Sequence, residues 1–248
     1  MNEALTAETV MMKAQGGDEV EAYLAQPVGT GSFGGVVVIH HLPGYDSATK
    51  EITRKFAAHG YAALMPNLYY RDSPGASPDD AAAAARAQGG VPDEQVVRDV
   101  AGAAEYLRGL AGSNGKVGVI GYCSGGRQSF LAACSLQFAA AVDCYGGAVV
   151  HVPQGAPASM KPLIGLSENL SCPLLGLFGA DDQFPTPAET AELSRTLDEL
   201  AKPHEFHTFT GAGHAFFSVD RASYRVEAAV EGWDKIWAFF GQHLAEKG

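Results

Sequence analysis

Cys123 stands at the apex of Gly121-Tyr122-Cys123-Ser124-Gly125, between the apolar run Lys116-Val117-Gly118-Val119-Ile120 and a helix-like stretch at 128–134. A strand that turns sharply into a helix presents its apex side chain, and a thiol so placed is a nucleophile. The flanking glycines answer a physical need. The apex residue sits in a strained backbone conformation, and a side chain two positions away would collide with the neighbouring strand or helix. The same turn sets the thiol at a helix N-terminus, where N–H groups and the helix dipole favour a thiolate. A small buried core residue is the plain alternative, but such a cysteine seldom comes framed by Gly-x-Cys-x-Gly at a strand end.

A nucleophilic thiol needs a base, and the base needs an orienting acid. In α/β-hydrolases, whose nucleophile elbow this turn resembles, these follow the nucleophile in the order acid, then histidine, each on a loop after a strand. Asp181 and Asp182 follow the run 173–179. His214 follows the run 204–209 within Gly211-Ala212-Gly213-His214, whose small residues let an imidazole approach the thiol. Adjacent carboxylates point differently, so one of the two aspartates reaches His214, and the other serves a turn or a helix cap. The bland role for His214 is a loop histidine bonded to a local carbonyl. An oxyanion formed on attack would meet the backbone N–H of Ser124, the residue after the nucleophile, and a second N–H from the loop after the strand 36–40.

The elements that must position these groups are legible in outline. Thr9-Val10-Met11-Met12 and Val20-Glu21-Ala22-Tyr23-Leu24, separated by Gly16-Gly17-Asp18, predict an N-terminal β-hairpin. The β-branched run 36–40 predicts a buried parallel strand. A helix follows with Ile52 and Phe56 on one face and Gly60 as its C-terminal cap. Further strands are expected at 61–65, 139–144, 173–178 and 204–209. Val96, Val100, Ala103, Ala104 and Leu107 mark a helix that leads into the elbow strand. Asp79 and Asp80 open a short alanine-rich surface helix. Thr186-Pro187-Ala188-Glu189 supplies an N-cap, a first-turn proline and a capping-box glutamate ahead of Leu193, Leu197 and Leu200. A last helix carries Val226, Val230, Trp233, Trp237, Phe240 and Leu244 on a face read as core. Strand and helix alternating from about residue 35 predict an α/β fold with a doubly wound, mostly parallel sheet, helices on both faces, and active groups at the carboxyl ends of strands.

With 248 residues, 46% of them apolar, the chain suits one α/β domain spanning 1–248. Its 28 acidic against 17 basic residues, net −11, argue against a nucleic-acid or anionic-membrane partner. Met1-Asn2-Glu3-Ala4 lacks the basic and apolar segments of a leader, and no apolar run approaches a membrane span, so a soluble cytoplasmic protein is expected. The cysteines at 123, 134, 144 and 172 have no Cys-x-x-Cys spacing, which points to neither a zinc site nor a disulfide framework. His40 and His41 are adjacent, but strand neighbours face opposite ways, so a metal site is not expected there.

Three segments together resemble the dienelactone hydrolase family, carboxylic ester hydrolases of the α/β-hydrolase fold. They are the elbow from Ser113 to Gly126, cysteine included, Asn67-Leu68-Tyr69-Tyr70-Arg71, and Gly211-Ala212-Gly213-His214. The resemblance implies a Cys123–His214–Asp182 triad, because the family's glycine, two variable positions, aspartate pattern aligns with Gly179-Ala180-Asp181-Asp182. It assigns the second oxyanion donor to Leu42 within His40-His41-Leu42-Pro43-Gly44. There the chain departs from the family: His41 stands where a glutamate takes part in activating the thiol, so it implies another proton route or a pocket-lining residue. Family members specific for dienelactone hold the substrate carboxylate with two arginines. Here Arg86 aligns with one, and Ser218 replaces the other. Tyr70, Arg71 and Tyr145, near strand ends, are further pocket or structural candidates, and Phe216, with Phe184 and Phe217, is either an apolar wall or core. The resemblance implies hydrolysis of a small ester or lactone through an acyl-thioenzyme with no cofactor, by a monomer or small homo-oligomer. A broader carboxylesterase or thioesterase is the alternative within enzymes. A non-catalytic binding protein, or a thiol redox sensor using Cys144, is the alternative outside them.

Overall fold

The structure, a computed structural model, describes residues 4–29, 31–157 and 159–245. Met1, Asn2 and Glu3, read above for a leader, lie outside the described residues. Eight strands form one mixed sheet in the order β1-β2-β4-β3-β5-β6-β7-β8. They are β1 (Leu5–Lys13), β2 (Glu19–Pro27), β3 (Phe33–Ile39), β4 (Ala62–Pro66), β5 (Ser113–Tyr122), β6 (Ala140–Cys144), β7 (Leu174–Gly179) and β8 (His204–Phe209). The described backbone gathers into two compact units, one within 4–119 together with 244–245 and one within 120–243.

In the first unit β1 and β2 make the expected antiparallel hairpin, in register from Leu5 opposite Pro27 to Lys13 opposite Glu19. Gly16 and Gly17, both at positive φ, turn the chain between them. β2 pairs antiparallel with β4, and β3 pairs parallel with β4. All seven residues of β3 are buried, as a strand covered on both faces requires. It starts three residues earlier than its β-branched run indicates. A Cβ on Gly35 would lie 3.0 Å from the Leu107 Cβ, so the glycines that hide the strand's start in the sequence admit the close approach of helix α3 (Asp93–Arg108). The stripe Val96, Val100, Ala103, Ala104 and Leu107 is buried as expected. Helix α2 (Pro78–Ala87) is the short alanine-rich helix, N-capped by Ser77.

Helix α1 (Ser47–Ala58) begins at a cap the sequence reading passed over. Asp46 accepts from the Thr49 amide at 2.8 Å and from the Thr49 hydroxyl at 2.9 Å, which satisfies an otherwise orphaned donor of the first turn. Its other oxygen meets His41 Nε2 at 2.6 Å.

In the second unit β6, β7 and β8 run parallel. Helix α4 (Ser124–Ser135) follows the elbow. Helix α5 (Pro187–Glu199) opens with Thr186 and Glu189 bonded reciprocally as a capping box. Helix α6 (Val226–Leu244) is rotated from its expected face. Val226 and Val230 are exposed and Trp237 is partly buried, while Ala229, Trp233, Ile236, Phe240 and Leu244 are buried. The contact explains this phase, because a Cβ on Gly232 would meet the Phe217 ring at 2.4 Å. The helix packs through its small residues, which turns the two valines outward.

Asp46→Ala removes an N-cap and is expected to lower unfolding stability by about 1–2 kcal/mol. Burial raises the Asp46 pKa, but the bonds from His41 and Thr49 outweigh that and hold it at about 2. A depressed carboxyl stabilises fully above its unfolded value of about 4 and loses that contribution as pH falls through the folded one. Urea melts should therefore show the full difference between Asp46→Ala and the unmodified chain near pH 6, shrinking as the pH falls from about 4 to about 2.

Candidate active site

β5 ends at Tyr122, Cys123 turns with φ 57° and ψ −119°, and α4 begins at Ser124. The turn is tight enough to exclude any side chain at Gly121, where a Cβ would lie 1.8 Å from the Gly125 carbonyl oxygen. Left-handed backbone at a non-glycine residue costs on the order of 1–3 kcal/mol and persists only where surrounding bonds over-determine it. Here the Cys123 amide donates to the Cys144 carbonyl at 3.0 Å, and the Cys123 carbonyl accepts from Gly126 at 2.9 Å and Arg127 at 3.3 Å. The thiol makes no capping bond to its own helix and is half-buried.

Asp182 and His214 are brought together by the ends of β7 and β8. The Ala180 amide donates to the Phe209 carbonyl at 2.9 Å, and the Asp181 amide to the Ala212 carbonyl at 2.9 Å. The two loops approach so closely that a Cβ on Gly179 would lie 2.4 Å from that Ala212 oxygen. Of the two aspartates, Asp182 turns inward, 2% exposed, and Asp181 is exposed. Asp182 Oδ2 lies 2.9 Å from His214 Nδ1, and its Oδ1 accepts from the Phe184 amide at 2.8 Å. With Nδ1 donating to the carboxylate, Nε2 is left for the Cys123 side chain, with which His214 also hydrogen-bonds. Burial disfavours the imidazolium, but the Asp182 and Cys123 bonds and the charges of both outweigh it, and the pKa of His214 is pushed up to about 10.

Tyr145, at φ 45°, lies beside this group with its ring edge-on to the imidazole, centroids 5.1 Å apart. It is 1% exposed, and its hydroxyl is bonded to the Ser218 side chain and the Phe217 backbone. Phe216 is fully buried, stacked on Phe217 and packed against Tyr145. These two candidates for substrate contact therefore form the packing behind His214. Arg71 is held by Asp99 through two bonds of 2.9 and 2.8 Å, with Asp18 at 3.4 Å. Since Asp99 is fully buried, that guanidinium balances a buried carboxylate rather than offering itself to a ligand. Arg86 is exposed in the last turn of α2, and Tyr70 is half-buried.

At the position of the family glutamate, His41 is buried and bonded to Asp46. His40 lies past the end of β3, where burial lowers its pKa to about 4. The neutral ring is satisfied by the His41 carbonyl at Nδ1, 2.9 Å, and by the Leu68 amide at Nε2, 3.2 Å. Leu42 is partly exposed, and its carbonyl accepts from the Tyr69 hydroxyl at 2.8 Å. Asp46 was missed by sequence reasoning although a capping aspartate just ahead of a helix is a recognisable signal. Asp99, a charge within the stripe of α3, is a weaker one.

The mixed sheet, the elbow and the aspartate and histidine loops after later strands define an α/β-hydrolase. A model of the "Dienelactone hydrolase family" matches residues 20–244. A protein of Yersinia pestis named "Putative carboxymethylenebutenolidase" is 34% identical over 92% of this chain and 85% of its own length. One of the same name from Synechocystis sp. is 29% identical over 91% of this chain and 93% of its own length. The crystal structure of a "Putative Dienelactone Hydrolase" from Klebsiella pneumoniae superposes with a TM-score of 0.85 at 30% identity, covering 97% of this chain and 100% of that one. The chain belongs to the dienelactone hydrolase family and is a hydrolase of that kind.

The other three thiols are buried. Burial pushes Cys134 up to about 12 and Cys172 up to about 11, and drives Cys144 well above the ordinary thiol range. Iodoacetamide near neutral pH is thus expected to label Cys123 at least tenfold faster than any other cysteine, read by peptide mapping after short exposures. Comparable labelling of Cys144 would instead favour the redox use of that thiol.

Proposed function

We propose that the chain hydrolyses small carboxylic esters or lactones through Cys123, His214 and Asp182 by way of an acyl-thioenzyme. The observation that carries this is the linked run of bonds from Asp182 Oδ2 to His214 Nδ1, 2.9 Å, and from His214 to the Cys123 side chain at the apex of the elbow. Asp182 holds the imidazole so that Nε2 faces the sulfur, and the high affinity of His214 for a proton favours a thiolate–imidazolium pair at rest.

The thiolate attacks the carbonyl carbon, and the carbonyl electrons move to oxygen. The Ser124 amide, at the start of α4, stabilises that oxyanion. On collapse the C–O bond breaks and the alkoxide takes the Nε2 proton. In a lactone the new hydroxyl stays tethered to the acyl chain. His214, now neutral, takes a proton from water as the water attacks the thioester. The second tetrahedral adduct expels the thiolate, and the acid is released. No cofactor enters these steps.

A neutral ester or thioester is a second reading, favoured by one observation. Arg71 is bound to Asp99 and Asp18, and Ser218, in the place of a family arginine, is bonded to Tyr145, so neither supplies a fixed charge for a substrate carboxylate. The continuous family match from 20 to 244 supports taking 1–248 as one hydrolase domain. The four free cysteines accord with a reducing compartment, the cytoplasm. Among the described residues no helix is long and apolar enough to cross a membrane.

Aryl esters of graded acyl length and unsaturated acidic lactones, assayed side by side, separate the two readings. Cys123→Ala and His214→Ala should each lose about 100-fold or more in kcat while remaining folded, because general-base assistance and the nucleophile act as a unit. Asp182→Asn should lower kcat far more than Asp181→Asn. Retention of a tenth of the activity in Cys123→Ala would remove the acyl-thioenzyme.

A further inference from the structure

The proposed chemistry leaves one fully buried carboxyl unused. Asp143, near the end of β6, is 1% exposed; its Oδ1 accepts from the Gly146 amide at 2.7 Å, and its Oδ2 has no hydrogen-bond partner among the described residues. Two glycines make room for it. A Cβ on Gly126, in the first turn of α4, would lie 2.4 Å from Oδ1, and one on Gly146 would lie 2.5 Å away. A buried polar group with one unsatisfied oxygen is costly to keep, and the backbone on either side is shaped around it.

The turn that Asp143 ties down, Cys144-Tyr145-Gly146, touches both reacting groups. The Cys144 carbonyl takes the Cys123 amide, which is one of the bonds that hold the strained elbow. Tyr145, itself at φ 45°, sets its ring against His214. The Tyr145 amide donates to the Leu177 carbonyl at 2.9 Å, so the turn is anchored to β7 on one side and to Asp143 on the other.

We propose that Asp143 is a positioning residue for the Cys123–His214 pair, fixing through its bond to the Gly146 amide the turn that registers the thiol and the imidazole against each other. The inference rests on the catalytic reading given above. Burial raises the Asp143 pKa to about 7, against the pull of the Gly146 bond and the His214 charge. Below neutrality the group is therefore largely a neutral acid, which an amide mimics in shape and in its acceptor oxygen.

The unmodified chain, Asp143→Ala and Asp143→Asn should be compared at about pH 6.5, below the raised carboxyl pKa, for kcat, KM and the second-order rate of Cys123 alkylation, with Cys123→Ala alongside for kcat alone. A folded Asp143→Ala is expected to lose tenfold or more in kcat with KM within about twofold, since misalignment of reacting groups acts on turnover. Its Cys123 alkylation should slow at least threefold. Asp143→Asn should keep kcat and alkylation within about threefold of the unmodified chain. If Asp143→Ala fails to fold, Asp143→Ser, whose hydroxyl is too short to reach the Gly146 amide, takes its place with the same expectations. Unchanged kcat and alkylation in the folded Ala or Ser variant would overturn the proposal, as would a tenfold loss in a folded Asn variant. Alkylation needs no ester turnover, so it reads the positioning even if an active Cys123→Ala should defeat the triad reading.

Discussion

At the elbow a cysteine is held in left-handed backbone between a strand and a helix that nearly touch. The 1.8 Å separation between a Cβ on Gly121 and the Gly125 oxygen means that only glycine allows β5 to enter α4 at this angle. Everything near the thiol answers to that constraint. The Cys144 carbonyl is committed to the Cys123 amide, the turn after β6 is committed to Asp143, and Tyr145 is committed to both the turn and His214. Strain stored at one residue is balanced by bonds from two segments, the turn after β6 and the first turn of α4.

Environment, more than residue type, sets the protonation chemistry. His40 and His214 are both substantially buried, yet their pKa values move in opposite directions, to about 4 and about 10. The bond from His40 to the His41 carbonyl favours a charged ring, but desolvation outweighs it. His214 is paired with a carboxylate and a thiol, and there the charged partners prevail.

Two polar pairs fix side chains that the sequence singled out. His41 occupies the place of the family glutamate and is held by Asp46, which also caps α1, so the histidine's orientation is tied to the start of a helix. Arg71, within a segment that resembles a family signature, is drawn to Asp99 and Asp18. Each pair joins residues whose relation is not local periodicity.

The sequence by itself determined the elbow, the hairpin and the strand and helix alternation, because glycine spacing, capping residues and apolar period are local consequences of backbone sterics and burial. It also placed His214 and both aspartates after the correct strands. Only the tertiary structure decided that Asp182 faces inward while Asp181 faces solvent, since the two differ by one position in a turn whose direction is fixed by bonds to the β8 loop. The phase of α6 was likewise decided by Gly232 meeting the Phe217 ring, a contact between residues fifteen positions apart. Asp46, Asp99 and Asp143 escaped notice for a related reason. A buried carboxylate is recognised by its partner, and the partners His41, Arg71 and the Gly146 amide reach it through turns and chain crossings that composition and periodicity do not encode.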